Sequence, residues 1–275
     1  MTSWIKKLGK KTIKWQRNQD GTYSGGVVAD GKISSLLHDE DERRLLVRLH
    51  NEAGKLEPNY FGMEEALAQF DKFMPGGFEG EQNLRMEREY KVAAHEALTS
   101  VLSAEQAADA TMEDASLVRS APVWINLLSP YESMHLKSAL EGPSGPAFLQ
   151  AAGKFAAGEY DAGCAGMQAA MKAHGPTTWP IVTYFPFLWD PSRHMFLKPV
   201  VTKDFAERIG HPFQYDYSSA LQREVYESLL DLTDDTRTSI SHLKPTSNID
   251  VQSFIWVVGS YTDRDLPDAS SEEAH

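Results

Sequence analysis

Residues 178–210 have the sequence TWPIVTYFPFLWDPSRHMFLKPVVTKDFAERIG, and we expect the rest of the chain to be organised around them. No charged residue occurs from Trp179 to Trp189. Four ionisable residues then follow within nine positions: Asp190, Arg193, His194 and Lys198. A dense apolar segment that leads directly into ionisable groups is typical of a core element that delivers side chains into a pocket. The same pattern also fits a buried helix followed by a solvated loop.

Length and composition exclude several classes of protein. The chain has 275 residues, of which 41% are hydrophobic, so it can bury a full core as one large domain or as a domain with a smaller appendage. Its longest uncharged apolar run is shorter than the ~20 residues of a membrane span. The N-terminus lacks the apolar segment of a secretion signal, and the single cysteine, Cys164, excludes an internal disulfide and a zinc-thiolate cluster. We expect a soluble, cytoplasmic protein that needs no metal or cofactor and does not enter a membrane.

The charge distribution is uneven. A net charge of −12 argues against a broad nucleic-acid-binding surface, because neutralising phosphates requires Lys and Arg. Residues 1–17, however, contain six basic and no acidic residues. This arm is a candidate for local contact with a phosphate backbone, and a solvated edge strand is the alternative. The DNA-binding candidates are Lys6, Lys7, Lys10, Lys11 and Lys14.

The periodicity of the chain predicts a mainly α protein (α+β) with four regions. Alternating polar and apolar residues around the turn signal at 18–21 predict a small β element over residues 1–38. Helical periodicity begins at Asp39 and predicts a helical region over 39–141. Gly and Pro at 142–146 indicate a linker, which is followed by a helical core with the pocket over 147–262. The acidic residues 263–275 predict a disordered tail.

The segment around residue 129 combines a helix-capping signal with a candidate side chain. Ser129, Pro130 and Glu132 predict a capping box and a helix over 130–140. Asn126 lies just before it between apolar residues, and either recognises a base edge or amide or satisfies the loop backbone.

The last predicted helix contains Asp250 and Gln252 in an otherwise apolar sequence. Asp250 either supports the helix dipole from an exposed first turn, or faces the core with a raised pKa and becomes a candidate base.

Several blocks of the chain resemble a family of standalone bacterial proteins over about residues 45 to 260. The blocks are EPNYFGMEEAL (57–67), MPGGF (74–78), NLLSPYE (126–132), WPIVT (179–183), DPSRHMFLKP (190–199) and IDVQSFIWV (249–257). Their Asp-Pro block and Asp-x-Gln-Ser ending are similar to modules fused to ATPases of modification-dependent restriction systems. This resemblance implies a link to DNA and to phage defence.

A shorter resemblance concerns residues 196–210. They look similar to a core segment of the helix-hairpin-helix DNA glycosylase superfamily, which implies a helical core like a glycosylase helical domain. This chain has Lys198 or Pro199 where the aspartate of that superfamily would fall, and no Gly-rich hairpin precedes the segment.

Together these features predict a protein that acts on double-stranded DNA, and specifically a glycosylase that excises a modified base from phage DNA. Such an enzyme needs a pocket that accepts an extruded base, stacks it on aromatic rings and stabilises an oxocarbenium-like sugar. The catalytic candidates are Asp190, Lys198 and Asp250. We expect Lys198 to be desolvated by its apolar neighbours and to act as a nucleophile or phosphate clamp, and we favour a carboxylate that directs water. The base-binding candidates are Asn126, Trp179, Tyr184, Trp189, His194, Phe196 and Gln252.

Two other functions fit the same residues. A non-enzymatic module that senses modified DNA or acts as an adaptor would share the resemblance to restriction modules. An enzyme that acts on free nucleotides would suit the acidic composition. The aromatic residues also fit a hydrophobic core without any ligand.

Overall fold

The computed structural model describes residues 2–266, except for the side chains of residues 34 and 35. The chain divides into two compact units. Unit 1 comprises Met1–Ala68 and Lys203–Tyr217, and unit 2 comprises Gln69–Thr202 and Ser218–His275. The predicted fold class, mainly α with a small N-terminal β element, is confirmed. Unit 1 therefore combines the N-terminal β element with helices, including helices from residues 203–217 much later in the sequence. The domains predicted from the sequence were instead consecutive segments of the chain.

Unit 1 is built on an antiparallel sheet in which neighbouring strands are consecutive in sequence. The strands are β1 (Ser3–Leu8), β2 (Lys11–Arg17), β3 (Tyr23–Ala29) and β4 (Lys32–Asp39). Helix α1 (Glu42–Gly54) begins at Asp41, whose side chain accepts a hydrogen bond from the Arg44 amide. One face of the sheet packs on α1 through a core of small and aliphatic side chains: Leu8, Ile13, Val27, Leu45, Leu49 and Ala53.

The end of α1 lies very close to the returning segment of unit 1. A Cβ atom added to Gly54 would lie 2.3 Å from the Cα of Gly210. Gly210 itself has φ +77, in the left-handed region that favours glycine. Glycine is therefore required at both positions: at 54 because the backbone of residue 210 is so close, and at 210 because its φ is positive. The short helix α11 (Phe213–Asp216) follows.

Unit 2 is helical in its described part. Two further helices, α2 (Gly62–Phe73) and α10 (Pro199–Ile209), run across the sequence boundaries of the units. The helices within unit 2 are α3 (Glu81–Asn83), α4 (Glu89–Val101), α5 (Met112–Ser120), α6 (Pro130–Glu141), α7 (Ser144–Ala156), α8 (Tyr160–Met171), α9 (Trp179–Trp189), α12 (Arg223–Ser239) and α13 (Asn248–Ser260). A π-helical turn, Leu84–Arg88, joins α3 to α4.

Helix α9 is the centre of unit 2. Every one of its residues is buried, and it packs against α4, α6 and α7. A helix that is apolar on all sides is stable only when it is surrounded, so the composition of this stretch already places it in a core. The ionisable residues after it lie in the connection between α9 and α10.

Local capping signals were predicted well, and the linker was not. Ser129 and Glu132 form the predicted capping box, with the Glu132 amide 3.3 Å from the serine Oγ and the Ser129 amide 2.8 Å from the carboxylate. Gly142 ends α6 and α7 already begins at Ser144, so the predicted linker at 142–146 is a tight turn.

The described part of the chain ends in a short turn. Asp263–Asp265 forms a 3-10 turn, and the rest of the predicted acidic tail, 267–275, lies outside the described residues. Within residues 2–266, no helix is both long enough and apolar enough to cross a membrane.

Candidate functional site

A cavity in unit 2 brings together four of the predicted site residues. It spans about 270 Å³ of space between atoms, open solvent included, and the centre of a water molecule can reach about 20 Å³. The predicted residues are Asn126, Phe196, Lys198 and Gln252. The other lining residues are Glu87, Tyr90, Leu127 and Trp256.

Several elements of unit 2 deliver these side chains. Glu87 lies on the π-helical turn, and such turns occur frequently at functional sites because the extra residue changes where the following side chains point. Asn126 precedes the cap of α6, and Lys198 directly precedes α10. Gln252 and Trp256 are four residues apart on α13 and so share a face of that helix.

The carboxylate of Glu87 is held by two donors. The Lys91 ammonium lies 2.7 Å from its Oε2, and the Tyr261 hydroxyl lies 2.8 Å from its Oε1. Lys91 has no exposed surface, and its ammonium also contacts the Ser253 hydroxyl at 3.0 Å. Burial lowers the pKa of Lys91, while the attraction of Glu87 opposes that shift.

Asn126 lines the cavity and is exposed rather than buried between its apolar neighbours. Next to it in the lining is Tyr90. Burial, followed by the negative charge of Glu87, raises the pKa of Tyr90, so this residue keeps its proton.

Lys198 has polar partners in addition to the apolar sequence neighbours from which its desolvation was predicted. Its Nζ donates to the Leu127 carbonyl at 2.9 Å and lies 3.7 Å from Glu132 Oε2, and 27% of the side chain is exposed. Glu132 is fixed in turn by the capping box and by the Thr178 hydroxyl at 3.0 Å. The N-terminus of α6 thus positions a partly shielded cation at the cavity.

Gln252 supplies an unsatisfied acceptor. The residue is 4% exposed, and its Oε1 has no hydrogen-bond partner among the described residues. Buried carbonyl oxygens are usually paired, so this one is available to a hydrogen-bond donor that enters the cavity. Beside it, Phe196 is buried and Trp256 is only partly buried.

Two of the three predicted catalytic residues do not line this cavity. Asp190 lies at the end of α9, where it accepts hydrogen bonds from the Ser192 amide and hydroxyl and lies 3.6 Å from Arg193. Burial acts to raise the pKa of Asp190, but the Ser192 bonds outweigh it and the net shift is downward. Asp250 is fully buried, contrary to an exposed first-turn position, and accepts from the Thr246 amide at 2.7 Å and hydroxyl at 2.8 Å. Both contact patterns fit structural roles.

Four predicted base-binding residues lie in the core instead, each with a hydrogen bond that occupies its polar atom. Trp179 and Trp189 donate to the carbonyls of Ser218 and Leu102, each at 2.8 Å. Tyr184 donates to the Val123 carbonyl. His194 lies between the Tyr226 hydroxyl at 3.1 Å and the Ala156 carbonyl at 3.0 Å, and burial lowers its pKa. We therefore do not include these residues in the candidate site.

The basic arm forms part of the sheet of unit 1. Lys11 is 8% exposed and pairs with Glu57, which also accepts from the Tyr215 hydroxyl. Lys6 lies 3.5 Å from Asp216. The exposed lysines of the arm are Lys7, Lys10 and Lys14. The first of these is on β1, an edge strand, where lysines discourage pairing with other chains.

Sequence reasoning missed four lining residues, Glu87, Tyr90, Leu127 and Trp256. The first two lie in a stretch, 81–102, whose periodicity predicts one continuous helix, so the π-helical turn had no sequence signal. Trp256 lies in the apolar block 249–257. Its spacing of four residues from Gln252 is the signal that would have placed both side chains on one face of the helix.

Comparison of the chain with protein-family models, with curated proteins and with solved structures gave no match. Among residues 2–266 no group of three or more His, Cys, Asp or Glu side chains is placed to hold a metal ion. Chemically, the cavity offers one cation, two amide side chains, a paired carboxylate and aromatic surface.

Proposed function

We propose that this chain is a cytoplasmic, DNA-acting protein of antiviral defence, and that it is a glycosylase that excises a modified base from double-stranded phage DNA. The observation that carries the proposal is the meeting of Asn126, Lys198 and Gln252 with aromatic side chains at one cavity. Enzymes that act on an extruded base read its edge by hydrogen bonds and stack its ring on aromatic or apolar side chains. These residue types supply both.

The size of the cavity limits what enters it. The ~20 Å³ open to the centre of a water molecule is about the room that one water needs, so it suits a single polar group of a base and not a whole ring. The ring would then lie outward against Trp256, which is only partly buried. A modification on the far side of the ring stays outside, so a bulky modified base is compatible with a small cavity.

Lys198 has the central chemical role in this proposal. The bond between the sugar C1′ and the base nitrogen breaks, and the base departs with a developing negative charge. An ammonium fixed by Leu127 and Glu132 stabilises that charge without reorganising. Water then adds to C1′, the base takes up a proton, and an abasic site remains. This route is hydrolytic and forms no covalent bond to the enzyme.

The proposal is tested with purified protein and duplex DNA from phages with and without modified bases. Alkali-labile sites should form in modified DNA, and borohydride should trap no protein adduct. Lys198→Met should lower the rate by about 10²- to 10³-fold, as expected for loss of an electrostatic stabiliser. Lys172→Met, at an exposed position, is the matched control. Absence of abasic sites in every DNA would overturn the proposal, and an adduct lost in Lys198→Met would replace the hydrolytic route with a covalent one.

A second candidate is a module that senses modified DNA without cleaving it. The observation in its favour is that Glu87, the one carboxylate among the described lining residues, already accepts from two donors, Lys91 and Tyr261. A cavity of this kind can bind a base without directing water at it. Salt-dependent binding of modified DNA with no base release would select this function.

A further inference from the structure

The sheet of unit 1 exposes apolar side chains on the face opposite α1, which we call the outer face. Strand pairing places one residue of each strand in a row across it: Ile5, Lys14, Gly26 and Leu36. Ile13, which precedes Lys14 in β2, is buried in the core with α1 on the opposite face. Ile5 and Leu36 are 65% and 64% exposed, and Ile33 in the next row is 67% exposed. The solvated face of an antiparallel sheet is normally polar, so these side chains indicate a surface that a partner covers.

A hollow lies in the middle of the outer face. Its floor includes Gly26, which has no side chain, and its walls include Ile5 on the first strand and Leu36 on the last. Because neighbouring strands are ~4.8 Å apart, these walls are about 14 Å from each other. The centre of a water molecule can reach about 340 Å³ of the hollow. An α-helix with its side chains is ~10–12 Å wide, so a helix fits between the walls.

The outer face also carries positive charge. Lys14 is paired with Ile5 across β1 and β2, and Lys7 follows Ile5 on the same face of β1. Both lysines are exposed, and neither forms an ion pair with another described residue. No Asp or Glu projects from the described strand residues of this face. Residues 1–38 contain seven basic and two acidic residues, a net charge of +5, so the rest of the chain carries −17, the difference between −12 and +5.

We propose that the outer face binds an amphipathic, acidic helix of a partner protein. Its apolar stripe, at i, i+3, i+4 and i+7, would lie in the hollow, as in other complexes of a helix with a groove. Its carboxylates would lie beside Lys7 and Lys14, which supplies the opposite charge that this face lacks.

Two other occupants fit the outer face less well. A nucleic acid needs aromatic surface for its bases, but Trp4 and Trp15 belong to the opposite face, where their rings stack with centroids 5.8 Å apart and Trp15 packs on the core. A second copy of the chain, stacked face to face, would bring the same lysines together.

The test measures binding of a fluorescent synthetic peptide to the full chain by anisotropy. The peptide has about 18 residues, long enough for a helix, with Leu along one stripe and Glu on the flanks. Two control peptides replace every Glu by Gln or every Leu by Ser. The Glu peptide should bind although the chain is acidic overall. The Gln peptide should bind about three- to tenfold more weakly, as expected for loss of exposed charge pairs, and the Ser peptide should not bind.

Matched variants show where the peptide binds. Ile5→Ser and Leu36→Ser should each weaken binding about tenfold or more, the loss expected for one buried aliphatic side chain. Val200→Ser, at an apolar position that is 71% exposed on α10, is the control and should bind normally. Lys14→Glu should weaken binding of the Glu peptide and leave that of the Gln peptide unchanged. Urea unfolding should give the same midpoint for each of these variants, because all four positions are exposed.

Three results would overturn the proposal. The first is no binding of the Glu peptide, or binding that Ile5→Ser and Leu36→Ser leave unchanged. The second is binding of duplex DNA that is lost in Ile5→Ser, which would assign the outer face to nucleic acid. The third is a dimer in sedimentation experiments that Ile5→Ser converts to a monomer, which would assign the outer face to a second copy.

Discussion

Replacement of Lys91 by methionine should destabilise unit 2 strongly. Lys91 and Glu87 are 0% and 3% exposed, and their charged atoms are 2.7 Å apart. Lys91→Met keeps the length of the side chain but leaves the Glu87 carboxylate buried with only the Tyr261 hydroxyl as a donor. Removing one partner of a buried ion pair costs about 3–5 kcal/mol. In the double variant with Glu87→Gln neither charge is present, so it should be more stable than Lys91→Met alone.

Urea unfolding of the wild type, both single variants and the double variant measures this effect. The slope of free energy against urea should stay constant while the midpoint shifts. The coupling free energy between the two positions should be about 1–3 kcal/mol. Lys172→Met, which replaces an exposed lysine, should be neutral. A loss below about 1 kcal/mol in Lys91→Met, with additive effects in the double variant, would refute the buried-pair reasoning.

Three further predictions concern other parts of the chain. Gly54→Ala should lower stability by about 1–3 kcal/mol because its Cβ would lie 2.3 Å from Gly210, whereas Gly142→Ala, with open space around it, should not change the melting temperature. Burial lowers the pKa of His194, so the unfolded chain binds a proton first and stability falls as pH drops below ~6.5; His194→Gln should flatten that fall, and an unchanged slope in unfolding experiments would contradict it. If exposed Lys14 contacts DNA, Lys14→Ala should reduce the slope of log affinity against log salt by ~0.9, and an unaltered slope would assign it to a solvated strand.

Features that depend on neighbouring residues could be predicted from the sequence. The capping box depends on Ser129 and Glu132, three positions apart, and the burial of α9 depends on its uncharged composition. The sheet follows from alternation and a turn signal. These elements need no knowledge of the rest of the chain, which is why the fold class was predicted.

The partners of the site residues could not be predicted in this way. Glu87 meets Tyr261 from 174 positions away, and Lys91 meets Ser253 from 162 positions away. The π-helical turn that places Glu87 leaves the helical periodicity of the sequence intact. Lys198 was predicted to be desolvated because its neighbours in sequence are apolar, but its partners in space are polar. Aromatic residues such as Trp179 fit either a core or a pocket until their own partners are known.

Direct detection of the released base tests the central claim. Modified phage DNA is incubated with the protein, and small molecules are separated and identified by mass spectrometry. The account predicts a free modified base in an amount equal to the abasic sites formed, almost none with Lys198→Met, and a normal amount with Lys172→Met. Recovery of every base within the DNA, in conditions where the protein is folded and binds that DNA, would contradict it.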